Sequence, residues 1–191
     1  MKRFRIAVLA FIAALNCSLF AASSINLTPV PKSMTVGEGT LVLPNSFTIL
    51  VQGPDSIAAE AERFAEHMKS VAGMDIQPGD ITVNTPSLFV VVHLTDTEAL
   101  APEGYTLKVT PTGVTIGATT VTGCYYAFQT IKKLLPPHVM AGVPDAKVTN
   151  YTLPIVEIAD EPRFAYRGFM LDVSRHFFEL DELKRMIDVM S

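Results

Sequence analysis

The clearest pattern along the chain is the spacing of its apolar residues, which changes from helical to strand-like and back. Between Pro54 and Ala72, apolar residues recur every three or four positions and charged residues lie mostly between them, which predicts an amphipathic helix. Its apolar face consists of Ile57, Ala61, Phe64, Ala65, Met68 and Val71. The same periodicity predicts helices over 123–135 and 179–190.

Short apolar or alternating segments predict the strands. They span residues 41–43, 47–51, 88–94, 105–109, 114–116, 153–158 and 169–173. The fourth and fifth flank Thr112-Gly113 and therefore form a predicted β-hairpin. Pro29 and Pro31 indicate an extended edge segment, and Gly37 and Gly39 a turn. We expect a loop over 73–87 and a connector over 138–152.

This order of elements divides the chain into two folded parts. Residues 24–158 hold about six predicted strands and two helices, which predicts an α+β domain with a mixed sheet and one modest core. Residues 159–191 hold one strand followed by one helix, the opening unit of an α/β domain. With no second strand before Ser191, that unit is expected to be incomplete.

Residues 1–23 have the pattern of an export signal peptide. Lys2, Arg3 and Arg5 precede the apolar run from Ile6 to Leu15, and small residues follow at 21–24. We expect export to a periplasmic or extracellular location. Attachment of a lipid at Cys17 is the less favoured alternative, because Asn16 is a poor residue directly before such a cysteine. No apolar run after residue 25 approaches the roughly 20 residues of a membrane span.

Composition narrows the classes of partner. The net charge is −4 and no basic stripe is present, so we expect no nucleic-acid partner. Cys124 is the only cysteine after the signal segment, and we interpret it as a small buried hydrophobe. Asn26 and Asn150 begin glycosylation triplets that matter only in a eukaryotic secretory pathway.

Two histidines are candidates for chemistry that we set aside. His67 lies at the edge of the first helix's apolar face and is interpreted as a surface residue. His93 and Asp96 occur in the sequence HLTD, which we take as a chance resemblance to a glycosidase acid motif. This segment also offers fewer ligands than a metal site needs. For the chain as a whole, we expect no metal and no cofactor.

The densest chemistry lies in EPRFAYRGFMLDVSRHFF, from Glu161 to Phe178. Burying an unpaired charge costs several kcal/mol. An arginine in a strand-like run, here Arg167, therefore needs a partner or a polar pocket. Asp172, Arg175 and His176 lie at the end of the predicted strand, and Gly168 is expected to allow close backbone packing.

These residues resemble the start of the catalytic barrel of family-20 glycoside hydrolases, the β-N-acetylhexosaminidases. EGYTLKV, GVTIGA and GCYYAFQTIKKLLP resemble the α+β domain that precedes that barrel. The resemblance implies the first βα unit of a (β/α)₈ TIM barrel. It also implies hydrolysis of terminal N-acetylglucosamine or N-acetylgalactosamine by substrate-assisted, retaining catalysis. The expected partner is an N-acetylhexosamine-terminated oligosaccharide or glycoconjugate.

The family's catalytic Asp-Glu pair is expected beyond Ser191, so no catalytic residue is assigned in this chain. The alternative function is a non-catalytic exported domain that binds glycan or has a structural role. Asp160 and Glu161 are not nominated for the pair, because a charged domain junction explains them better.

By the resemblance, Arg167 binds the 3- and 4-hydroxyls of the terminal sugar, and the guanidinium fork suits two vicinal hydroxyls. Pairing with a carboxylate such as Asp172 is the alternative for Arg167. For Asp172 itself we favour a structural ion pair with an arginine.

Overall fold

The computed structural model describes residues 25–80, 87–94 and 100–190. The predicted signal peptide, Cys17 and Asp96 lie outside these residues. The chain divides into two compact units, the first ending at Glu161 and the second beginning at Pro162. Among the described residues, no helix is long and apolar enough to cross a membrane.

The first unit is built on one seven-stranded sheet with the order β1-β7-β5-β6-β4-β2-β3. Its strands are β1 (Ser33–Leu43), β2 (Ser46–Gln52), β3 (Asp75–Asp80), β4 (Phe89–His93), β5 (Tyr105–Thr110), β6 (Gly113–Ala118) and β7 (Tyr151–Asp160). In the half formed by β1, β7, β5 and β6, each strand is antiparallel to the next. In the half formed by β6, β4, β2 and β3, each strand is parallel to the next. The predicted mixed sheet is therefore confirmed.

Two long helices pack on this sheet, α1 (Asp55–Ala72) and α2 (Val121–Leu134). All six predicted apolar-face residues of α1 are buried, as the helical periodicity required. Gly73 ends α1 in the left-handed conformation, with φ of 67°, and its N–H donates to the carbonyl of Lys69. The hydroxyl of Thr120 caps α2 by accepting from the N–H of Gly123 at 3.3 Å.

An aromatic cluster joins the helices to the sheet. The ring of Phe64 in α1 lies 6.0 Å from that of Phe89 in β4 and 4.8 Å from that of Phe128 in α2, measured between centroids. Phe89 in turn stacks on Phe47 of β2 at 5.0 Å. Because one ring contacts both the second helix and the sheet, the three elements share a single core.

Three local predictions for the first unit were wrong. Residues 33–43 form one strand, and Gly37 and Gly39 lie in a bulge between Val36 and Thr40 rather than in a turn. The predicted loop contains β3, an edge strand that pairs in parallel with β2. It tolerates Pro78 because its outer side has no partner strand among the residues that the structure describes. The predicted connector begins with a short helix, α3 (Pro137–Met140).

The second unit contains one regular element, α4 (Leu180–Met190), as the helical periodicity predicted. Residues 161–179 form no strand, so the strand predicted over 169–173 is absent. A strand obtains its backbone hydrogen bonds from a neighbouring strand. No strand among the described residues pairs with this segment, which accounts for its irregular backbone.

Candidate functional site

Arg167, the predicted substrate-binding residue, lies in the irregular segment of the second unit rather than in a strand. Its side chain is exposed, and its guanidinium donates to the backbone carbonyl of Phe164, three residues earlier. This contact turns the arginine back toward its own segment.

Asp172 organises the turn that follows. One of its carboxylate oxygens accepts from the backbone N–H of Ser174 at 2.9 Å and from that of Arg175 at 3.1 Å. The other oxygen pairs with the guanidinium of Arg175 at 3.4 Å. The predicted structural ion pair between Asp172 and an arginine is therefore confirmed, and the arginine is Arg175. His176, which follows directly, is exposed.

Two pairs of adjacent carboxylates occur near this segment, and both have structural contacts. Glu182 accepts from the backbone N–H of Glu179 at 3.1 Å, and Asp181 pairs with Lys184 at 3.8 Å. Asp181 and Glu182 also lie in the first turn of α4, where the helix dipole stabilises negative charge. These contacts describe a helix start, not a pair poised for acid-base chemistry.

The second pair, Asp160 and Glu161, ends the first unit. Asp160 accepts from the backbone N–H of Lys32 at 2.9 Å, and Glu161 forms an ion pair with the ammonium of the same lysine. The hydroxyl of Tyr105 lies 3.5 Å from the second carboxylate oxygen of Asp160 and donates to it. These bonds hold the end of β7 against β5 and against the residue that leads into β1.

Sequence reasoning missed the role of His67. This residue is half-buried, not a free surface residue, and its Nε2–H donates to the backbone carbonyl of Val139 at 2.7 Å. Burial, opposed by this hydrogen bond, lowers the pKa of His67 below its usual value. One sign of this burial was present in the sequence, namely the position of His67 at the edge of the apolar face of α1.

The remaining candidates are structural. Cys124 is fully buried, as predicted, and burial raises the pKa of its thiol to about 12, far from the range of a nucleophilic thiolate. His93 lies 3.0 Å from the backbone carbonyl of Thr119 and donates to it. Among residues 25–80, 87–94 and 100–190, no three His, Cys, Asp or Glu side chains group as metal ligands would.

Two models of known protein families match the chain, and the boundary between the two matches coincides with the boundary between the two compact units. The sequence model described as "Glycosyl hydrolase family 20, domain 2" matches residues 24–161. The model described as "Glycosyl hydrolase family 20, catalytic domain" matches residues 164–191.

Individual relatives agree with the family matches. A β-hexosaminidase from Porphyromonas gingivalis is 32% identical over 87% of this chain and 21% of its own length. β-Hexosaminidase 1 of Arabidopsis thaliana is 30% identical over 86% of this chain and 33% of its own. The solved structure of Streptomyces plicatus N-acetyl-β-hexosaminidase bound to Thio-NAglucal is 29% identical, with a TM-score of 0.72, and the match covers 85% of this chain and 31% of that one. The chain thus spans between about a fifth and a third of these relatives.

Proposed function

Because a family match covers residues 24–161, the chain belongs to glycosyl hydrolase family 20, and we propose that the whole protein is a β-N-acetylhexosaminidase. The observation that carries the proposal is that the domain-2 match and the catalytic-domain match follow each other along one chain. The relatives named above are hexosaminidases, which supports the same activity. The proposed substrate is a glycan that ends in N-acetylglucosamine or N-acetylgalactosamine.

The proposed chemistry is substrate-assisted. In this family the substrate's own 2-acetamido oxygen takes the place of a carboxylate nucleophile. The protein then needs one carboxylate to orient the acetamido group and one carboxylic acid to protonate the leaving oxygen. Because Asp172 serves a turn, and Asp181 and Glu182 serve a helix start, we assign neither role to these carboxylates.

We assign Arg167 to substrate binding. Its fork matches two vicinal hydroxyls on a sugar, and the residue lies in the segment matched by the catalytic-domain model. In a (β/α)₈ barrel, the proposed fold of the catalytic part, substrate meets the ends of the strands. The first compact unit has the proposed role of bracing that barrel.

The test compares Arg167→Lys with Arg175→Lys in the whole gene product, using 4-nitrophenyl N-acetyl-β-glucosaminide. Hydrogen bonds to charged groups contribute about 1.5–3 kcal/mol. Arg167→Lys should therefore lower kcat/KM by about 10- to 100-fold. Arg175→Lys alters an exposed ion pair worth about 0.2–1 kcal/mol, so a change of less than about fivefold is expected.

The 191-residue chain alone is the second control, and we expect it to show no turnover. Equal activities of wild type and Arg167→Lys would remove the binding role of Arg167 but leave the proposed activity intact. A whole gene product without activity on β-linked N-acetylhexosaminides would contradict the proposed function itself.

We also propose that residues 1–23 direct export. The basic start, the short apolar run and the small residues that follow support this localisation. N-terminal sequencing of the protein recovered outside the cytoplasm should begin between residues 22 and 24, and an unprocessed Met1 would contradict the proposal.

A further inference from the structure

One face of the sheet in the first compact unit carries a groove. On β5, Leu107 and Val109 are buried in the core, so Thr106 and Lys108 point to the opposite face, where both are exposed. The groove lies on this opposite face, has a volume of about 410 Å³ and crosses β1, β7, β5 and β6. Because these strands are antiparallel, residues that pair across them bring their side chains together.

The strand register places the lining side chains in two rows. The first row occupies paired positions of β1, β7 and β5 with short side chains, which are Ser33, Ala159 and Thr106. The second row lies two residues away along each of these strands and ends on β6, and it consists of Thr35, Glu157, Lys108 and Thr115. The short side chains form the floor of the groove, and the long side chains of Lys108 and Glu157 form a wall.

The lining offers hydrogen-bond donors and acceptors without net charge. Four hydroxyls belong to it, those of Ser33, Thr35, Thr106 and Thr115. Each hydroxyl can both donate and accept. The ammonium of Lys108 lies 3.1 Å from the carboxylate of Glu157, and more than half of each side chain is exposed. The groove therefore carries one charge of each sign, and both remain accessible to a ligand.

This chemistry favours one kind of occupant. A site for an ion collects charge of the opposite sign, and the lining has no excess of either sign. The centre of a protein interface is enriched in aromatic residues, methionine and arginine, none of which lines the groove. The large exposed hydrophobic side chains of the described residues also lie elsewhere. A neutral molecule that is rich in hydroxyls matches the donors and the acceptors alike.

We propose that this groove binds a short neutral oligosaccharide. Neighbouring strands lie about 4.8 Å apart, so the distance from β1 to β6 is about 14 Å, enough for a few linked sugar rings. No aromatic ring lines the groove, so hydrogen bonds hold the sugar without stacking, and we expect a dissociation constant of about 1 mM. The groove belongs to the first compact unit, and the proposal does not depend on the proposed hydrolase activity.

The test is an NMR titration of the ¹⁵N-labelled 191-residue chain with N,N′,N″-triacetylchitotriose, a neutral trisaccharide. The amide signals of Thr35, Thr106 and Thr115 should shift and approach saturation at about 10 mM sugar. Binding of the sugar to Arg167 would shift signals of the second unit instead, so the two sites are distinguished in one experiment.

Matched variants test the hydroxyls. Thr106→Val combined with Thr115→Val removes two hydroxyls and keeps the β-branched shape, so the dissociation constant should rise about fivefold or more. Thr152→Val is the same change at an exposed position of β7 that does not line the groove, and it should leave the dissociation constant unchanged. The amide spectrum of each variant shows that it is folded.

Three results would overturn the proposal. The first is the absence of a saturable shift at the three threonine amides of the wild type, a measurement that needs no variant. The second is an equal dissociation constant for wild type and the double variant. The third is tighter binding of the deacetylated, cationic trisaccharide than of the neutral one, which would make the groove a site for charged ligands.

Discussion

Replacing Tyr105 with phenylalanine should make the protein less stable at neutral pH and less sensitive to alkali. Tyr105 is the first residue of β5, with 2% of its surface exposed. Its hydroxyl lies 2.6 Å from that of Thr130 in α2, and it also donates to Asp160 at the end of β7, at 3.5 Å. One phenol therefore links two strands and a helix.

The pKa of the Tyr105 phenol gives the size of the alkaline effect. Burial, together with the negative charge of Asp160, raises it to about 12, although the bond to Thr130 acts in the opposite direction. An unfolded tyrosine titrates near 10. Because the folded pKa is the higher one, the phenol's contribution to stability is present below pH 10 and is lost between about 10 and 12. Two units at about 1.4 kcal/mol each make that loss about 3 kcal/mol.

At neutral pH the substitution removes the hydroxyl and keeps the buried ring. The lost hydrogen bond to Thr130 should lower the free energy of unfolding by about 1 kcal/mol. Above pH 10 the phenylalanine has no proton to lose, so the difference between the two proteins should shrink. Near pH 11 to 12 the variant should match or exceed the wild type, because the loss of about 3 kcal/mol is larger than the initial deficit.

The assay is urea unfolding followed by far-ultraviolet circular dichroism at intervals from pH 7 to 11.5. Tyr125→Phe is the matched control, because Tyr125 is half-exposed on α2 and its removal changes the number of phenols equally. Cys124 also titrates in this range, but it is present in all three proteins and cancels in the comparison. Parallel stability curves for wild type and Tyr105→Phe from pH 9 to 11.5 would refute the reasoning.

Two further predictions concern residues packed around α2. Gly123→Ala should lower the free energy of unfolding by about 1–3 kcal/mol, because a Cβ there would lie 2.3 Å from the backbone carbonyl of Gly104; a change below 0.5 kcal/mol in urea unfolding would contradict it. The thiol of Cys124 is buried, and its pKa is raised to about 12. It should therefore resist Ellman's reagent at pH 8 until urea unfolds the chain. Rapid labelling of Cys124 in the folded protein would contradict this prediction and show that the site opens.

The elements that the sequence predicted well depend on local patterns. The helical periodicity of α1 identified its six buried apolar residues and its start to within one residue. The hairpin of β5 and β6 followed from alternation on both sides of Thr112-Gly113. In both cases the residues that make the contacts are close in sequence, so their spacing is enough to predict them.

The elements that were mispredicted depend on distant residues. The glycines of β1 resemble a turn, but pairing with β7, more than 100 residues later in the chain, keeps the strand continuous through a bulge. Pro78 and Gly79 resemble a loop, but β2 supplies a parallel partner on one side of β3. The contact between His67 and Val139 is of the same kind, because 72 residues separate the two.

The second unit shows the same distinction within one short segment. The hydrogen bonds of α4 are internal, so its periodicity is sufficient for the helix to form. The apolar run over 169–173 has the composition of a strand buried on both faces. Phe169 and Met170 are nevertheless 61% and 90% exposed. The reason is that a strand forms only against a partner strand. Asp172 is placed by a turn of four residues and could be predicted as an ion-pair partner. The predicted strand position of Arg167, by contrast, requires a partner strand. The role of Arg167 therefore has to be tested in the whole gene product, where a lysine at this position should bind the sugar poorly even if the strand is fully formed.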